Sequence, residues 1–131
     1  MKTFVEFRSE KFPPYEGEEE SINPGLWGKR LAEYLVEELS KRGIECEEII
    51  PEDWGWYVPT KLAKHRLALC CGHQYGDDDQ LICFTDPKTP VFRKFFRRID
   101  LTEQFTLLIR EIDSILKSDP EIGHIEWIEN I

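Results

Sequence analysis

Two stretches of this chain hold residue types that could do chemistry. In the first, Cys70-Cys71-Gly72-His73 sets two thiols beside an imidazole, with Asp77, Asp78 and Asp79 just downstream and Cys83 beyond them. A thiol next to a histidine can act as nucleophile and base, and thiolates with imidazole suit zinc. The spacing argues against both. Adjacent residues of a strand point to opposite faces, so Cys70 and Cys71 cannot converge on one ion without a bulge, and no C-x-x-C pair is present. A dyad of Cys70 or Cys71 with His65 or His73 matches no local signature, and such dyads are defined by geometry. Small cysteines on strands ordinarily fill core. Asp77 to Asp79 could do acid–base work or hold Mg²⁺ or Ca²⁺, but an Asp-rich turn follows from turn chemistry alone. No glycine-rich phosphate loop and no G-x-S-x-G elbow occurs. The sequence therefore assigns no catalytic residue, no metal and no cofactor.

The second stretch is Pro51-Glu52-Asp53-Trp54-Gly55-Trp56-Tyr57-Val58-Pro59. On an extended chain, rings two residues apart share a side. Trp54 and Trp56 are expected to form one wide surface, with Tyr57 opposite. Rimmed by Glu52 and Asp53, such a surface has the composition of an interface hot spot. The competing reading is a tight turn whose tryptophans close the end of a core. The candidate binding residues are thus Glu52, Asp53, Trp54, Trp56 and Tyr57. A third group, Arg93, Lys94, Arg97 and Arg98, stands out against an acidic background. It could hold an anionic ligand or an acidic loop, although charge runs are ordinarily the solvated face of a helix.

The elements that must position these residues follow from periodicity. Lys2 to Arg8 alternates as a strand, and Ser9 to Ile22 reads as a loop. Asn23 and Pro24 have the types expected at an N-cap and first helical position. The stripe Trp27, Leu31, Tyr34, Leu35, Leu39 then predicts a helix that Gly43 stops. Strands are expected over Ile44 to Ile50, Gly55 to Pro59, Arg66 to Gly72 and Gln80 to Thr85, as an antiparallel meander. Phe92, Phe95, Phe96 and Ile99 have helical spacing. Asp100 and Glu103 have capping-box spacing for a further helix carrying Phe105, Leu108, Ile109, Ile112, Ile115 and Leu116. Ile122 to Ile128 alternates as a last strand. The expected fold is α+β in the order β-α-β-β-β-β-α-α-β. An antiparallel sheet of about five to six strands would carry two main helices on one face.

Composition bounds the rest. The 131 residues fit a single domain over residues 1–131. Basic side chains number 17 against 26 acidic, a formal net charge of −9. That balance speaks against a nucleic-acid partner, whose phosphates need neutralising, and against an anionic membrane. It suits a basic protein partner. No apolar run is long enough to span a bilayer, Glu6 interrupts any signal-like start, and the four cysteines read as reduced. A cytoplasmic protein is expected.

The runs Phe12-Pro13-Pro14-Tyr15-Glu16-Gly17-Glu18-Glu19-Glu20, Asn23-Pro24-Gly25, Pro51-Glu52-Asp53-Trp54-Gly55-Trp56 and Asp119-Pro120-Glu121-Ile122, with Trp127, resemble a group of small uncharacterised bacterial proteins. The resemblance implies a shared fold and a bacterial source, and supplies no catalytic residues. Two functions compete at this level. One is a non-enzymatic, immunity- or antitoxin-like module that binds a basic protein. The other is a small enzyme or ligand-binding protein with a pocket between Trp54–Tyr57 and the Cys71/His73 hairpin.

Overall fold

A computed structural model describes residues 1–130. They form a mixed α+β fold with a six-stranded antiparallel sheet, a separate two-stranded ribbon and three helices. Strands β1 (Lys2–Arg8), β2 (Ile50–Glu52), β3 (Gly55–Pro59), β4 (Ala68–Gly72), β5 (Gln80–Asp86) and β8 (Gly123–Glu129) pair in the order β2-β3-β4-β5-β1-β8. Four strands form the expected meander, and β1 then inserts between β5 and β8.

One face of the sheet is closed by α2 (Lys29–Lys41) and α3 (Thr102–Ser118). The stripe of α2 buries Leu31, Leu35 and Leu39; that of α3 buries Phe105, Leu108, Ile112, Ile115 and Leu116. Together with Val5, Phe7, Val58, Leu69 and Leu81 of the sheet these side chains form one core cluster, α2 lying against β3 and β4 and α3 against β8. The exit of α2 follows its sequence closely. Gly43 takes φ +83 and donates its N–H to Ser40, and the Ile44 N–H reaches back to Leu39. This is the Schellman arrangement, with Leu39 and Ile44 both in the core.

The entry to α2 differs from expectation. The helix starts at Lys29, and Asn23 lies in a turn where its carbonyl accepts from Leu26 N–H. A short helix α1 (Glu18–Ser21) precedes it, within the segment read as loop. Ile44 to Ile50 is not a strand. It is tied to β3 by the Cys46–Thr60 bridge and two backbone hydrogen bonds, and a regular ladder forms only over Ile50–Glu52.

The largest departure lies at Val91 to Ile99. It is a hairpin of β6 (Val91–Lys94) and β7 (Arg97–Asp100), not a helix. A two-residue turn centred on Phe95-Phe96 places Phe92 opposite Ile99. The spacing that marks one helical face therefore also marks one face of this ribbon. Phe92 and Ile99 pack on the core and anchor the ribbon, and the Leu101 N–H donates to the Pro90 carbonyl at its base. Asp100 does help open α3, accepting from the Thr102 N–H at 3.0 Å and the Thr102 hydroxyl at 2.6 Å. No helix among the described residues is long and apolar enough to cross a membrane.

Candidate functional site

Strand register divides the aromatic residues between the two sheet faces. Trp56, Cys71, Cys83, Val5 and Trp127 form one cross-strand row over five strands. This row faces the helices: its first four members belong to the core, and Trp127 donates its indole N–H to Asp113 of α3 at 2.9 Å. The adjacent row is Tyr57, Cys70, Phe84, Phe4 and Ile128. Period-two alternation turns it to the opposite face, and none of its members belongs to the core cluster.

The expected Trp54–Trp56 surface does not exist. Trp54 occupies the β2–β3 turn, where strict alternation no longer applies, and its ring lies 5.6 Å from that of Phe84 on the open face. Phe84 in turn stacks on Phe4 at 5.5 Å with the planes 10° apart. Tyr57 is on this face too and donates its hydroxyl to Asp86 at 2.9 Å. Burial, then the bond to Asp86, push its phenol above its ordinary range. Trp54, Tyr57, Phe84 and Phe4 are all half-buried, while Glu52 and Asp53 are exposed at the end of the strip.

Trp56 is held inside by a residue that alternation does not reveal. Its indole N–H donates to a carboxylate oxygen of Glu18 at 2.8 Å. The same oxygen accepts the Gly28 and Lys29 N–H groups at 2.7 and 2.9 Å, and the other accepts the Tyr15 N–H at 2.9 Å. Glu18 is only 5% exposed, yet it is fully partnered. It satisfies orphan amides at the start of α2, the role a local N-cap would take. Nothing in the run Glu18-Glu19-Glu20 distinguishes it by sequence, because the partners come from three separate segments.

Open-face carboxylates also meet farther along the sheet. Glu6 on β1 stands directly opposite Glu126 on β8, both exposed, and neither has an ion-pair partner among the described residues. Like charges directly opposed on a sheet are destabilising. They line a hollow of about 210 Å³ with Ile82, Tyr75 and His124.

The cysteine–histidine stretch is divided as well. The Cys71 and Cys83 sulfurs lie 3.8 Å apart in the core, and burial pushes the Cys71 thiol well above its ordinary value. Burial also raises Cys70, and raises Cys46 to about 11. These are protonated thiols, poor nucleophiles and poor ligands. The His73 ring instead stacks on Trp27, centroids 4.0 Å apart, and its Nδ1 lies 2.7 Å from the Gln80 carbonyl. That carbonyl can only accept, so Nδ1 carries the proton. No group of three or more metal-ligating side chains is placed to hold an ion among the described residues.

Comparison with known proteins adds no analogy, since no family model, no curated protein and no solved structure matches the chain.

Proposed function

We propose that this chain is a non-enzymatic binding domain that engages a basic protein partner through the open face of its sheet. The observation that carries this reading is the half-buried strip of Trp54, Phe84 and Phe4 on the face away from the helices, beside the opposed Glu6–Glu126 pair. Half-buried rings rimmed by charge form an interface pattern, with an apolar centre and a polar edge. Trp54, Phe84 and Phe4 would take apolar side chains of the partner. A lysine or arginine would enter between Glu6 and Glu126, relieving a repulsion the free protein sustains. Glu52, Asp53 and Asp86 extend the same sign along the strip, and the net charge of −9 would steer the encounter. Of the candidate binding residues, Glu52, Asp53, Trp54 and Tyr57 contribute directly. Trp56 contributes by anchoring the turn from inside. An immunity- or antitoxin-like role in the cytoplasm fits this chemistry.

The test compares proteins captured from the host by wild type, Trp54→Ala and Glu6→Gln/Glu126→Gln. A basic protein retained by wild type and lost by both variants supports the reading. Retention unchanged by either variant overturns it.

A further inference from the structure

The β6–β7 ribbon is built against its own stability. Its turn needs positive φ at both central positions, which is why Asn-Gly is the preferred pair there. This chain has Phe95 at φ 51° and Phe96 at φ 67°. Bulky side chains seldom accept that region, and residues held there cluster where function requires them. The rings gain nothing from the fold in return, being 84% and 99% exposed. The ladder behind the turn repeats the pattern. Lys94 stands opposite Arg97, and Arg93 opposite Arg98, so both cross-strand pairs set like charges together. Their single counter-ion among the described residues is Asp100, 3.7 Å from Arg98. The base, by contrast, is clamped to the core through Phe92 and Ile99.

We propose that this ribbon is a membrane-docking arm whose paired phenylalanines enter the interface of an anionic lipid bilayer. The two tiers of cations behind the tip would then meet the headgroup phosphates. Interfacial docking of this kind sets apolar rings about 5–10 Å into the headgroup boundary with basic side chains at its level. Each basic side chain near an anionic surface adds roughly fivefold to binding, and four are present on the ribbon. Arg66 lines a hollow with Arg93 and Lys94, although Asp86, in the same lining, pairs with Arg66 at 3.8 Å and leaves the ribbon's own four cations as the basic end. The overall charge of −9 counts against approach of the chain as a whole to an anionic surface, but at contact range the four ribbon cations dominate, since carboxylates farther away than about 8 Å are largely screened at physiological salt. A single-stranded nucleic acid fits less well. Stacking on a base uses rings held flat on a framework, whereas these rings project with no backing.

The test is co-sedimentation of the purified chain with vesicles of phosphatidylcholine alone, and with about 30% phosphatidylserine added. Wild type is expected on the anionic vesicles and not on the neutral ones. Phe95→Asn/Phe96→Gly supplies the pair the turn prefers, so it is expected to melt at a higher temperature yet bind at least tenfold more weakly. Arg97→Glu/Arg98→Glu turns both like-charge pairs into opposite-charge ones, so it is expected to bind at least tenfold more weakly at a melting temperature no lower than that of wild type. Failure of wild type to prefer the anionic vesicles overturns the proposal, as does undiminished binding by either variant. Tight binding of an oligouridylate that the Asn-Gly variant loses, without any vesicle binding, assigns the tip to nucleic acid instead.

Discussion

Two hairpins of this molecule each turn in two residues and each place aromatic rings at the turn, with opposite outcomes. In the β2–β3 turn, Glu52 pairs with Gly55 and the central residues are Asp53 and Trp54. Gly55 takes φ 155°, and a Cβ there would lie 2.6 Å from the Cys71 carbonyl oxygen. Glycine thus lets β3 press against β4, so that Trp56 turns inward to Glu18 and Trp54 folds back on Phe84. In the β6–β7 turn no glycine is present, both phenylalanines carry the left-handed conformation themselves, and the rings stand in water. The flanking charges are acidic in the first hairpin and basic in the second. Where aromatics are seated, the backbone is relaxed by glycine. Where they are displayed, the backbone is strained, so position at a turn alone does not say whether a ring is core or surface.

The comparison breaks most completely at Glu18. Glu18→Ala leaves four donors without their acceptor, and we expect a loss of at least about 3 kcal/mol, since each unsatisfied buried donor costs about 1–3 kcal/mol. Urea denaturation gives the value, and Trp56 fluorescence should shift to the red as the indole meets water. Next is Gly55→Ala, expected to cost about 1–3 kcal/mol as an overpacked contact against backbone. An unchanged urea midpoint would show that β3 and β4 can separate freely.

The second hairpin should respond with the opposite sign. Phe95→Asn/Phe96→Gly is expected to gain about 1–2 kcal/mol by removing left-handed strain. A loss measured by the same denaturation would mean that the phenylalanines stabilise the ribbon after all. A smaller effect is expected at Tyr57. Its phenol ionises at higher pH folded than unfolded, so its contribution is complete below about pH 10 and is lost as pH rises through the folded value. Tyr57→Phe should therefore flatten the alkaline fall in the urea midpoint. The smallest is Glu6→Gln/Glu126→Gln, which relieves one repulsive pair and should stabilise by a few tenths of a kcal/mol, up to about 1 kcal/mol.

Legibility in the sequence followed the range of the forces involved. The stripes of α2 and α3, the alternation of β1 and β8 and the apolar runs of β4 and β5 are local signals, and each led to its element. The 91–99 hairpin was hidden because a two-residue turn pairs residue i with i+7, the spacing that a helix face also shows, and because Phe95-Phe96 lacks the glycine that announces such a turn. Asn23 had the chemistry of a cap, but Glu18 caps α2 from outside its own segment, through contacts that exist only once Tyr15, Gly28 and Trp56 have met. The same holds for the candidate site. Glu52, Asp53, Trp54 and Tyr57 could be singled out by composition. Phe4, Phe84, Glu6 and Glu126 could not, because what joins them is register among β1, β5 and β8.

The insertion of β1 between β5 and β8 also sets an order of assembly. Phe4 waits for Phe84, and Lys2 for Glu129, before either side of β1 has a neighbour. As these residues leave the ribosome, β1 emerges before both of its neighbours and is among the last strands of this sheet to be fully seated. Contacts of such long sequence separation slow folding. Until α3 has been completed and β8 has followed it, β1 offers Val5 and Phe7 to solvent along an unpaired edge. The sheet is therefore most open to self-association before β8 emerges, and a chaperone that recognises short apolar extended segments would find its target at β1.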